Sequence, residues 1–212
     1  MSDNVSTYLG QEGRELGTRL GFEAKPLRTI LVHIAVVVVF GVFLPWWLGV
    51  QFLDPVTIAA YACLGVLFAA PAAAQAFAGP RPQSLREALA RIVIATLYGE
   101  LMAVAILLAG FGTIFMTPAR AFLTLDFVSL GEAGALGLAG SFALASIAAL
   151  VGLLLPPGAA RMALRVIFLA LLMLFFFRSR WLPDVAVTGS LVCVGVAIAA
   201  IAAVRTVISS RA

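Results

Sequence analysis

Apolar residues in this chain fall in long blocks separated by short polar stretches, with little of the period-two alternation of half-buried strands. A bilayer core of about 30 Å is crossed by about 20 apolar residues in a helix. Six runs reach that length, at 29–50, 55–78, 92–116, 133–155, 159–181 and 185–204. The fifth is the weak one: 12 residues separate Arg165 from Arg178, about 18 Å of uncharged helix. It spans if Arg161 and Arg165 snorkel at one end and Arg178 and Arg180 at the other; a broken or strongly tilted segment is the alternative. In lipid every backbone polar group must be satisfied internally, so such runs read as helices. The pattern predicts an all-α integral membrane protein with six transmembrane helices.

The stretches between the blocks carry their own signals. Before the first run, Leu9, Gly13, Leu16 and Leu20 keep helical spacing, while Glu12, Arg14, Glu15 and Arg19 mostly take the other side. This predicts a short amphipathic helix on the membrane surface; Gly17 and Gly21 count against it. The chain then divides into a cytoplasmic or interfacial amphipathic segment, 1–28, a six-helix transmembrane domain, 29–205, and a cytoplasmic tail, 206–212. In loop 79–91, Gly79, Pro80 and Pro82 end one helix, and Ser84 with Glu87 forms a capping box that starts another. A short charged helix over 85–91 is expected to precede or lead into the third span. The stretch 117–132 (TPARAFLTLDFVSLGE) is too apolar for a solvated loop and too short to span. An interfacial or re-entrant helix is expected there.

Composition excludes the soluble classes. Of 212 residues, 63% are hydrophobic and 11% charged, with mean hydropathy +1.10, against about 25% charged residues in an ordinary globular domain. Net charge is +4. In a soluble domain that would suggest nucleic acid; beside apolar spans it reads as topology, with no nucleic-acid partner. Eleven of the 14 positive residues (Arg14, Arg19, Lys25, Arg28, Arg81, Arg86, Arg91, Arg161, Arg165, Arg205, Arg211) fall on one side of a six-span layout, and Arg120, Arg178 and Arg180 on the other. Positive-inside bias then places both termini in the cytoplasm, the membrane being the plasma (inner) membrane. Trp46 and Trp47 after Pro45, and Trp181, fall at outer span ends, where an aromatic belt belongs. Acidic residues Asp3, Glu12, Glu15 and Glu23 precede the first run, so no cleaved signal peptide is expected. Cys63 and Cys193 each sit alone in an apolar run and read as buried thiols, with neither a disulfide nor a metal expected.

Little catalytic chemistry is encoded. His33 is the lone histidine and Lys25 the lone lysine; no Gly-x-Ser-x-Gly elbow, HExxH pair or P-loop occurs. No catalytic, cofactor or metal site is expected. Two ionisable residues lie inside apolar runs, His33 five residues past Arg28 and Glu100 nine past Arg91. Intramembrane ionisable groups point to function: Glu100 reads either as part of a pathway or proton relay, or as a structural contact to His33, Tyr98 or a neighbouring backbone. In the fourth run Ala133, Gly137, Ser141, Ala145 and Ala149 recur every four residues, and the sixth offers Gly195, Ala199 and Ala203. Such stripes admit close helix contacts; a generally Ala-rich composition is the alternative.

The order of parts (amphipathic helix, six spans, termini on one side, capped charged helix between spans two and three) resembles the type-2 permease subunits of ABC exporters. Residues 141–177 are similar as well, with a Gly/Ala-rich span, a short basic turn and then a Leu-rich span. The resemblance implies that 9–22 is the elbow helix. It implies that Ser84, Leu85, Arg86, Glu87 and Arg91 form the coupling helix that docks on a cytoplasmic P-loop ATPase subunit. It implies a second permease copy, identical or not, with the pathway between the two. One departure is the short connection 178–184, where many members carry re-entrant helices between spans five and six. A stand-alone proton-coupled exporter using Glu100, and a non-transporting scaffold subunit, are the alternatives.

Overall fold

The computed structural model describes residues 5–77, 80–122, 126–178 and 182–210, and every regular element among them is helical. Five helical stretches are long and apolar enough to cross a membrane: Pro26–Leu53, Pro55–Phe77, Leu85–Phe115, Phe127–Leu154 and Ala186–Ser209. The protein is a helical chain compatible with a multi-pass membrane location.

Helix α1 (Val5–Leu20) ends in a Schellman turn: Gly21 has φ 92, its N–H donates to Thr18 O at 3.0 Å, and Phe22 N–H donates to Gly17 O at 3.0 Å. Gly21 is therefore the stop of the amphipathic helix, a left-handed position that a Cβ would strain. Helix α2 (Pro26–Val37) follows with proline in its first turn. It passes into a π-helical turn, Val38–Phe43, then α3 (Leu44–Leu48) and a 3₁₀ turn, Gly49–Leu53. The π turn brings Gly41 against the third span, where a Cβ would stand 2.7 Å from Ala109 Cβ. Trp46 and Trp47 both face outward.

The second span is two helices, α4 (Pro55–Ala62) and α5 (Leu64–Phe77), joined at Cys63. Helix α6 (Leu85–Phe115) absorbs the expected charged segment: 85–91 is its first two turns. Helix α7 (Phe127–Leu154) starts six residues before its apolar run because Asp126 caps it, accepting from Val128 N–H at 3.0 Å and from the Ser129 hydroxyl at 2.6 Å. The Ser129 bonds hold the Asp126 carboxyl below the usual carboxylate range. The stretch read as an interfacial or re-entrant helix is thus largely a 3₁₀ turn, Pro118–Phe122, and the start of α7. Residues 123–125 lie outside the described ones. Helix α8 (Pro157–Arg178) runs unbroken through Arg161 and Arg165, and α9 (Leu182–Ser209) continues into the expected tail.

Helix α7 is the centre, packed by α4, α5, α6, α8 and α9. Buried residues run from Ala133 to Leu153 around its circumference, as expected of a helix surrounded by others. The first span and α9 are peripheral and present rows of exposed Leu, Ile and Val. Contacts at the centre are backbone to backbone. Gly137, Ser141 and Ala145 are buried; a Cβ on Gly137 would lie 2.6 Å from Ala62 O, and one on Gly99 2.7 Å from Ala69 N. Small residues permit this approach, and dispersion between close backbones holds it.

Candidate functional site

Two polar clusters lie along α6. The first occupies its start. Ser84 Oγ accepts from Glu87 N–H at 3.2 Å, and Glu87 Oε2 accepts from Gln83 N–H at 2.8 Å, a variant of the capping box in which the carboxylate reaches one residue before the cap. The other Glu87 oxygen accepts from Arg91 at 2.6 Å. Arg91 is 3% exposed. Its guanidinium also meets Glu12 of α1 at 3.0 Å and donates to Ala76 O at 3.2 Å and Pro80 O at 2.7 Å. Arg19 of α1 adds bonds to Gln75 O at 3.1 Å and Ala76 O at 2.8 Å, and an ion pair to Glu15 at 3.2 Å. Two arginines thus satisfy two of the orphan carbonyls at the negative end of α5, those of Gln75 and Ala76. The result is a joint that ties α1, the end of α5 and the start of α6.

Arg91 therefore lies inside this joint and offers no outward contact point. Arg86 is exposed, and Ser84, Leu85 and Glu87 are half-buried around it. Glu12, read as one of the polar-face residues, is 7% exposed. Burial holds its carboxyl above the usual range, and the neighbouring Arg91 offsets that only in part. The sequence did contain the signal: Glu12 falls three residues after Leu9 and four before Leu16, on the apolar stripe itself, where an unpaired carboxylate is costly.

The second cluster lies deeper. Glu100 is half-buried at a junction of three helices. Its Oε1 accepts from Ser141 of α7 at 2.6 Å, and its carboxyl rests on the bare Cα of Gly65 in α5, where a Cβ would come within 2.8 Å of Glu100 Cδ. Among the described residues no cation pairs with it. Ser141, expected to serve packing, and Glu100, expected to carry charge, are therefore one site. His33 stands elsewhere: its Nδ1 is 2.7 Å from Thr29 O and its Nε2 2.5 Å from Tyr98 Oη. A carbonyl only accepts, so Nδ1 carries the proton and the Tyr98 hydroxyl donates to Nε2. Tyr98 and Glu100 are two residues apart, about 200° around α6, so the histidine and the carboxylate face opposite sides.

Chemically, the Glu100 site holds one carboxyl that can bind or release a proton and one hydroxyl donor. Among the described residues no group of three His, Cys, Asp or Glu stands together as metal ligands. No known protein family, curated protein or solved structure matches the chain.

Proposed function

We propose that the chain is the membrane-embedded permease subunit of an ATP-driven transporter, powered by an ATPase on a separate chain. In this reading α8 is the fifth of six spans and both termini lie in the cytoplasm. The observation that carries it is the joint at the start of α6. Arg91 couples that start to α1 and to the end of α5, while Arg86 stands exposed on the capped first turn. A push at this turn moves three elements together and tilts the spans that follow. Energy would come from the partner, since the chain holds no P-loop. Two permease copies, identical or not, would form the pathway.

The test is co-purification under gentle extraction, with the membrane level of each variant matched. Ser84→Ala removes the cap, costing about 0.5–2 kcal/mol, enough to fray one turn without unfolding a six-span protein. Ser84→Ala with Arg86→Glu should lower recovery of a P-loop ATPase several-fold, in a salt-dependent way. Glu87 is left intact because it also serves Arg91. Full retention by this variant would remove the docking role. Recovery of no ATPase with the wild type would favour the second reading, a stand-alone proton-coupled exporter, whose supporting observation is the Glu100 carboxyl, bonded to Ser141 and paired with no cation among the described residues.

A further inference from the structure

We propose that the elbow between α1 and α2 is a binding site for the phosphate headgroup of an anionic phospholipid. A cavity of about 300 Å³ opens inside this elbow, lined by Leu20, Gly21, Ala24, Lys25, Arg28, Thr29, Val32 and His33. Its volume is at the low end for small-ligand sites, and its lining combines two basic side chains with apolar ones.

Charge complementarity identifies the occupant. Arg19 and Arg91 are committed to carboxylates and to the carbonyls of α5, and Arg81 donates to Leu155 O at 3.4 Å. Lys25 and Arg28 differ: among the described residues neither has an ion pair or a side-chain hydrogen bond. Glu23, the nearest acid in sequence, does not line the cavity. At the first turn of α2, Lys25 provides no side-chain cap and proline occupies the first position. N–H groups there add to the positive field at the cavity mouth. The histidine contributes a wall, because both its nitrogens are already bonded.

The surroundings identify the lipid. Beyond Arg28 the cavity side of the first span continues as an apolar, uncovered row, with Val32 at 53% and Val39 at 45% exposure. A headgroup held at Lys25 and Arg28 would lay its acyl chains along that face. The cavity thus sits where a helix long and apolar enough to span meets the end of an amphipathic one, at the depth of lipid phosphates. A soluble phosphate would satisfy the cations but leave this apolar row unused.

The full-length protein should be extracted in mild detergent and its bound lipid read by native mass spectrometry, after exchange into micelles with phosphatidylglycerol or phosphatidylcholine. Wild type should retain phosphatidylglycerol over phosphatidylcholine. Lys25→Gln with Arg28→Gln should weaken that retention roughly 10–30-fold, the loss expected for two basic groups near a membrane surface. Ala24→Phe fills the cavity while keeping every charge, and should reduce retention similarly; it also guards against a topology effect of lost positive charge. Equal retention by wild type and both variants would overturn the proposal. So would a site occupied by inorganic phosphate alone, shown by millimolar phosphate displacing phosphatidylglycerol from wild type.

Discussion

Arg91 and Glu100 are carried by the same helix, nine residues apart, and the fold treats them oppositely. Arg91 is met by two carboxylates and two carbonyls. Glu100 is met by one hydroxyl and the flat side of a glycine. A buried charge is tolerated when its partners are complete, and removing one member then exposes the rest. A group with a single neutral partner can gain or lose a proton without dismantling its surroundings. The first arrangement belongs to a joint, the second to a place where chemistry can occur.

The sharpest way to break the contrast is Arg91→Leu. It strands Glu12 and Glu87 and bares the carbonyls of Ala76 and Pro80, for an expected loss of about 3–5 kcal/mol. Thermal unfolding in detergent, together with protease release of α1, measures it. Arg91→Lys should fall between, since an ammonium cannot reproduce the guanidinium fork. If Arg91→Leu costs no more than Glu100→Leu, the joint is not structural and the comparison fails.

Gly99 lies between the two clusters and sets the distance from α5 to α6. Gly99→Ala must push α5 away, moving both the Ala76 carbonyl under Arg91 and the Gly65 seat of Glu100. An overpacking cost of about 1–3 kcal/mol is expected. Gly112, on the same helix with open space around it, is the control: Gly112→Ala should be neutral or stabilising through helix propensity. Equal effects at the two glycines would mean that the close approach carries no weight.

Glu100 should contribute less to stability. Glu100→Leu leaves the Ser141 hydroxyl without its acceptor, about 1 kcal/mol, and a serine in a helix can turn to a carbonyl one turn back. Glu100→Gln should be close to neutral in stability. If the carboxyl carries protons, Gln should abolish transport while stability holds; if it is only a contact, Gln should keep both. A Leu variant that is stable and fully active would remove Glu100 from either role.

The smallest effect expected concerns Glu12. Its carboxyl lies above its usual range when α1 is docked, so the docked form binds a proton more readily than the undocked one. Docking should therefore tighten as pH falls through the raised value toward the ordinary one, and lose that increment as pH rises back through it. Hydrogen exchange of α1 across that window measures it, with Glu12→Gln removing the dependence. Release of α1 on mild acidification would show that the ion pair with Arg91 outweighs burial.

The sequence by itself determined the helical, apolar character of the chain, the positions of the helices long enough to span and the cap at Ser84, because these depend on run length and on spacings within a few residues. It also flagged Glu100 and the Gly137–Ser141–Ala145 stripe, though as two separate features. Local rules end there. The stretch before Ala133 reads as a separate interfacial element because its helix start, the cap at Asp126 and Ser129, lies outside the apolar run. Gly21 reads as a weakness when it is the stop of α1. Only the tertiary structure decided that Glu12 meets Arg91, 79 residues away, that Ser141 bonds Glu100, and that His33 takes Tyr98 instead. Such pairings depend on which faces the helices present to one another. That is set by close backbone approach at Gly65, Gly99 and Gly137 together, and no single segment carries it.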